Sequence, residues 1–448
     1  MKWAGLIIIL AAIMPLSMWL RRNPHQAPKI WMLVGFLPFA LVPLHLFMAA
    51  ISWREWPGFV AGVEFSVLDS LALALYFSLP GVQRPLPFTV SMALYFFAVL
   101  LATLQARIPM ASLFYPWQLV RMFLVYAAVT RGVGADPRVA PALMKGMAAG
   151  LIMEAAVAIW QRFGLDVLQV VGTYSAQNQL GLISHFIIFP FFALLLTGPR
   201  GWLPPVVILS GIVIEALTVS RATLGIGGLG FATVMTISAV RQWTSRKMLV
   251  LLIGLGMTAI SAPLVLSSFA QRETVDSTAA SDLSRESFER AGAMILSDYP
   301  LGIGSNQFLT IANVGGYYEK AGVPGNERIS IVHNSYLLVV VETGYLGLIF
   351  FVFLLLRPLT TAFFCGWRSR GDQRGDLLLG LGVALLAVYI HGLFEWIFFD
   401  FQTQYLLVLN VGMVAGLAEQ LGYWRRPYSR SARLGARHVS ISSTGNKG

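Results

Sequence analysis

A chain built from one apolar run of roughly 20 residues after another has few folds open to it, because that length matches the hydrocarbon thickness a helix must cross. Inside hydrocarbon every backbone N–H and C=O must be satisfied within the segment, so such runs read as membrane helices. The runs fall at 3–20, 30–51, 59–80, 86–104, 110–130, 140–163, 177–198, 202–219, 222–240, 248–268, 333–357, 377–398 and 403–421. An all-α polytopic membrane protein of twelve to thirteen spans is therefore expected. A soluble domain is excluded by composition: 12% of residues are charged, about half the usual 25%.

The net charge of +11 raises the question of nucleic acid. The basic residues, however, lie in short loops between apolar runs, and the membrane accounts for them, so no nucleic-acid partner is expected. One set of alternating loops holds Arg21, Arg22, Lys29, Arg84, Arg131, Arg138, Arg200, Arg241, Arg246, Lys247, Arg368, Arg370 and Arg374. The other set holds Arg54, Arg107, Arg221 and the arginines of the long 269–332 loop. The first set, with the tail arginines 425, 426, 430, 433 and 437, is read as cytoplasmic, and the long loop as facing outward. Lys2 alone argues for an N-terminus inside. The first run is followed by Trp19-Leu20-Arg21-Arg22 with no small-residue cleavage site, so a retained helix is expected. Cys365 is the sole cysteine, which excludes an intramolecular disulfide.

This reading divides the chain into N-terminal membrane helices (1–170), a membrane core with a hairpin at Arg221 (171–268), an outward loop (269–332), C-terminal membrane helices (333–423) and a basic tail (424–448) expected to be disordered. The stretch 282–342 keeps arginines, acids, amides and tyrosines together. Within it Leu283, Phe288, Ala291 and Ile295 recur at helical spacing, and Pro300, Gly302 and Gly304 end the pattern, which predicts a short amphipathic helix over 282–297.

Gly225-Ile226-Gly227-Gly228-Leu229-Gly230 fits the dinucleotide fingerprint formally, but it lies inside a membrane run, where small residues serve close helix packing. No phosphate-binding loop of the GxxxxGK[ST] kind and no Cys/His cluster occurs, and no cofactor or metal is expected. Glu64, Asp69, Glu154, His185, Glu215, His391 and Glu395 fall within apolar runs, where ionisable groups are expensive and mark either function or polar contacts between helices. His391 and Glu395 stand four residues apart, the spacing of a local helical pair.

Arg221 lies at a membrane boundary between two runs, and its planar fork suits phosphate, although a helix-end arginine that merely snorkels outward looks the same. Arg285 and Arg290 sit four residues from Glu289 and Glu286, so a solvated, salt-bridged face competes with a binding role. His333 opens an apolar run at the same surface, and imidazole is the commonest general base.

Five stretches carry a resemblance. They are Gly172-Thr173 with Asn178; Thr218-Val219-Ser220-Arg221; Arg285 with Phe288, ahead of Asp298-Tyr299-Pro300-Leu301-Gly302-Ile303-Gly304; His333-Asn334-Ser335-Tyr336-Leu337; and Glu342, Gly344 and Gly347. In their order and spacing these resemble the bacterial O-antigen ligase family, which shares a domain with O-antigen polymerases and protein O-oligosaccharyltransferases. Phe288 stands where the family commonly has Trp. The resemblance covers about 172–347; residues 1–170 are similar only as a row of membrane helices. It implies a GT-C type fold and an inverting, metal-independent glycosyltransferase of the bacterial inner membrane with a periplasmic site. Glycan would pass from undecaprenyl pyrophosphate to lipid A-core. His333, Arg221 and Arg285 would be catalytic, as base and pyrophosphate clamp, with Arg290, Asn178, Asn334 and Tyr336 binding substrate. A polymerase or a protein oligosaccharyltransferase would use the same residues. A lipid-linked glycan transporter is the reading from another class, though no inverted repeat supports it.

Overall fold

The computed structural model describes residues 2–80, 85–275, 278–397 and 399–424, without the side chains of Lys2, Leu264 and 274–282; Arg84 and the basic tail from 425 lie outside the described residues. Among the described residues, eight helices are long and apolar enough to cross a membrane: Trp3–Arg22, Val139–Gly164, Gln177–Thr197, Arg221–Arg241, Ser245–Glu273, Ser335–Arg368, Gln373–His391 and Phe401–Gln420. Shorter apolar helices occupy Val67–Ser78, Thr89–Thr103 and Leu203–Leu217. The protein is thus a helical, polytopic membrane protein, with fewer full-length spans than the twelve to thirteen runs suggest.

Part of the difference lies in the runs 30–51 and 59–80. The first yields the helix Ala27–Ala40 and then a strand, Phe47–Ser52. The second opens with a strand, Gly62–Ser66, which pairs antiparallel with the first, with an irregularity between Ala49 and Ile51. An apolar run measures hydrophobicity, not period, so a short strand at its end passes as helix. The helix Val67–Ser78 starts at a capping box in which Ser66 Oγ accepts from Asp69 N–H and the Asp69 carboxylate accepts from Ser66 N–H.

Three helices form the centre. Gln177–Thr197, Gln373–His391 and Phe401–Gln420 are apolar on all sides and mostly buried, as expected of helices ringed by other helices. At the other extreme, the most apolar stretch of Ser245–Glu273 has no buried residue, a face suited to lipid tails. The glycine-rich stretch packs helices, as its setting implies. A Cβ on Gly227 would come within 2.3 Å of the Glu215 carboxylate, and one on Gly230 within 2.2 Å of the Phe189 ring.

A buried ionic knot ties the hairpin to the bundle. Arg121, wholly buried on the helix Phe114–Ala135, lies 3.5 Å from Glu64 and 3.4 Å from Asp69, with its guanidinium 4.7 Å from the Phe401 ring centroid. Tyr405 donates to Asp69 at 2.8 Å. Two of the acids flagged in the apolar runs therefore share one cation, with the Tyr405 hydroxyl as a further donor to Asp69.

The loops segregate as the alternation of basic and non-basic loops requires. Asn306 of the long loop binds Val60 next to the Arg54 turn and Ala111 just past Arg107, and Arg272 donates to Val219 O beside Arg221 at 2.8 Å. On the other side, Arg241 binds Asp376 and Ser369 O, and Arg246 donates to Gly198 O. The expected amphipathic helix is present but longer, Thr278–Asp298, with Phe288, Ala291 and Ile295 buried; Leu283, expected on that face, is exposed. The preceding helix runs to Val275, past the 269 at which the long loop is expected to begin.

Candidate active site

His333 immediately precedes the residue that caps the helix Ser335–Arg368. Asn334 is that cap: its side-chain oxygen accepts from the N–H groups of Tyr336 and Leu337, both at 3.1 Å, which satisfies two of the orphan donors at the helix start. Its amide also reaches Glu289 at 3.5 Å. Ser335 Oγ donates to Glu395 O at 2.6 Å and accepts from Ile397 N–H at 3.0 Å, while Ser335 N–H donates to Gly392 O at 2.8 Å. Tyr336 hydroxyl donates to Tyr389 O at 2.7 Å. Of the residues expected to bind substrate, Asn334 thus caps the helix start with its amide oxygen, and Tyr336 ties its hydroxyl to the helix Gln373–His391.

Those bonds staple the 392–397 turn against His333. The indole of Trp396 stacks on the imidazole, with centroids 4.6 Å apart and planes 19° apart, and its Nε1 donates to Val332 O at 2.8 Å. Phe288 presents its ring to the same imidazole at 6.3 Å, edge-on. The aromatic character of position 288 is thereby used whether or not the ring is indole. His333 is left 29% exposed, with Nδ1 turned inward 3.7 Å from the Glu395 carboxylate, an ion-pair distance and too long for a hydrogen bond.

Glu395 is the centre of the arrangement. Its side chain is 7% exposed, and besides His333 it meets Arg285 at 3.7 Å and accepts from Asn178 Nδ2 at 2.7 Å. A buried carboxylate needs such compensation, and it draws it from three parts of the chain. The helical pair expected between His391 and Glu395 does not form. The helix ends at His391, so four residues no longer span one turn. The His391 ring instead lies 5.5 Å from the ring of His185, which is 3.3 Å from Glu215, both histidines fully buried. Nor does Arg285 pair with Glu289: it turns to Glu395, and Glu289 to Asn334. Arg290 is exposed on the same helix and stands outside this cluster.

Arg221 lines a separate depression. It begins the helix Arg221–Arg241, whose Ser220 cap accepts from Thr223 N–H at 3.3 Å after Val219 takes a positive φ of 50°. With Phe269, Arg272 and Glu273 it lines an open cavity of about 470 Å³. A Cβ on Gly181 would meet Thr223 Oγ1 at 2.2 Å, which sets this turn against the first turn of the helix that carries Asn178. Arg272, counted from the sequence only among the arginines of the long loop, lies in the last turn of the helix Ser245–Val275 and adds a second guanidinium beside Arg221.

The remaining motifs build the frame. Glu154 accepts from Thr173 N–H at 2.9 Å and Thr173 Oγ1 at 2.6 Å, and Gln161 binds Gly172 on both its N–H and C=O, so the Gly172-Thr173 loop is clamped before Asn178. Glu342 accepts from the N–H groups of Asn306, Gln307 and Phe308 at 2.8, 3.0 and 3.1 Å. Ile303 and Gly304 N–H donate to Val341 and Glu342 O. Gly302 (φ 96°) and Gly344 (φ 70°) allow this approach, since a Cβ on either would meet the opposing backbone at 2.6 Å. Tyr317 donates to Asp298 at 2.7 Å, and burial, with that carboxylate beside it, pushes the phenol above its ordinary range. Among the described residues no three His, Cys, Asp or Glu side chains gather as metal ligands.

In comparison with known proteins, no family model matches this chain and no curated protein aligns with it significantly.

Proposed function

We propose that this protein is a membrane-embedded glycosyltransferase that takes glycan from a polyprenyl pyrophosphate. The particular reading is a lipopolysaccharide O-antigen ligase, of GT-C type, in the bacterial inner membrane with its site on the periplasmic face. The observation that carries it is the meeting on Glu395 of Asn178, Arg285 and His333, which come from three separate motifs of the resemblance.

The chemistry follows from those groups. The acceptor hydroxyl attacks the anomeric carbon as the bond from that carbon to the pyrophosphate oxygen breaks on the opposite face, giving inversion. His333 takes the hydroxyl proton, and the Glu395 carboxylate 3.7 Å from Nδ1 stabilises the imidazolium that results. The leaving pyrophosphate gains negative charge, which Arg285 and Arg221 meet with planar donor forks. One preorganised donor of that kind is typically worth about 3–4 kcal/mol in the transition state. Arg285 makes only a loose ion pair with Glu395 and has five N–H donors, so it can hold phosphate without leaving the cluster.

The direct test is His333→Ala, purified at normal levels. It should lose glycan transfer while still retaining the polyprenyl donor, and full activity would remove the base. A polymerase or protein oligosaccharyltransferase shares this chemistry and differs only in acceptor. Deleting the gene separates the first pair: a ligase mutant leaves bare core lipopolysaccharide, whereas a polymerase mutant leaves core capped by a single repeat.

A further inference from the structure

The Glu395–Trp396 wall that faces His333 also borders a second cavity, of about 280 Å³. Five separate segments enclose it: the hairpin turn at Pro57 and Phe59, the start of the helix Gln177–Thr197, Leu309 of the helix Phe308–Val314, the stretch Ile329–Ile331 and the 395–400 turn. Its size is near the lower end for small-molecule sites, which run from about 300 Å³ upward.

The lining is of two kinds. Rings of Phe59, Phe399 and Trp396 supply flat apolar faces, with Phe59 and Phe399 held edge-to-face at 4.5 Å. Between them stand hydroxyl, amide and carboxylate groups. Ser175 donates to Gln179 at 2.9 Å, and Asp400 accepts from Thr403 N–H and Oγ1 at 2.8 Å each. Burial pushes the Asp400 carboxyl above its ordinary range, and the two Thr403 bonds draw it back. No lysine or arginine is among the lining residues. A phosphate here would face Glu395 and Asp400 with no lining cation, and like charges at such range repel strongly in a medium less polar than water. A sugar suits both kinds of surface: its C–H faces lie on rings, and its hydroxyls both donate to carboxylates and exchange bonds with an amide.

We propose that this cavity is a subsite for one sugar residue, held next to the Glu395 cluster while the phosphates go to the arginines. The assignment rests on the glycosyltransferase reading for which glycan it serves, donor or acceptor, but not for the binding itself.

The test uses the full chain in a detergent with no sugar headgroup. Saturation-transfer NMR probes methyl glucoside and methyl galactoside, and phosphorus line broadening probes inorganic pyrophosphate. Ser175→Trp and Ile329→Trp fill the cavity from opposite sides at exposed positions, so either serves if the other misfolds. We expect glycoside binding by the native protein and about tenfold weaker binding in both variants, with pyrophosphate broadening unchanged. No glycoside signal from the native protein, undiminished binding in a folded variant, or displacement of glycoside by pyrophosphate would each overturn the subsite. His333→Ala should bind glycoside normally. If that variant also transferred glycan at full rate, the catalytic reading would fail and the subsite would stand. In transfer assays, whichever KM rises in Ser175→Trp, for donor or acceptor, identifies the sugar that sits there.

Discussion

Glu395 carries no motif of its own, yet three candidate site residues meet on it. If the carboxylate stabilises the imidazolium that forms as His333 takes the acceptor proton, removing the charge at constant shape lowers turnover more than binding. Glu395→Gln should cut kcat by about 10- to 100-fold, equal to roughly 1.4–2.7 kcal/mol, with the donor KM little changed. An unchanged kcat would leave Glu395 a packing residue. The loss is set below that of a triad aspartate because the Nδ1 distance is 3.7 Å rather than a hydrogen bond. At this scale the resemblance singled out His333, Arg285 and Asn178, each within a short local motif, and these three meet on Glu395. Glu395 was misread because its partners lie 62 to 217 residues away, while the tempting neighbour, His391, lies across a helix end that composition does not mark. Arg272 was not singled out because its helix runs past the end of the apolar run, into residues that read as loop.

At the scale of elements, Ser335 is the joint. One hydroxyl donates to Glu395 O and accepts from Ile397 N–H, so it fastens the turn after one helix to the start of another. Ser335→Ala leaves a buried N–H and a buried C=O without that partner, at a cost of about 1–3 kcal/mol. The expected result is a lower melting temperature together with a fall in transfer, as Glu395 and Trp396 drift from His333. A stability loss with transfer per folded molecule unchanged would show that the turn does not position the site. The motif spacing made the helix starts at Asn334 and Ser220 readable. The hairpin at 47–66 was not, because two short strands flanked by apolar helix merge into runs of the right length for spans.

For the whole molecule, membrane character was plain from run length and low charge, and the pairing of loops on two faces followed from basic residues alone. What holds the bundle together inside was not, since a fully buried arginine is recognised only once its acids are beside it. Arg121→Met leaves Glu64 and Asp69 without their cation, and removing one partner of a buried ionic group costs about 3–5 kcal/mol. The variant should unfold or aggregate at a markedly lower temperature in detergent than the native protein; an equal melting temperature would refute the knot. The position of Glu395 has one more consequence, for the order of synthesis. A ribosome delivers Asn178, Arg221, Arg285 and His333 to the membrane before the 392–397 turn exists. Until that turn is inserted, the histidine has neither its carboxylate nor the indole that stacks on it. On the proposed reading, the nascent chain therefore lacks a complete site until that late stretch has been inserted.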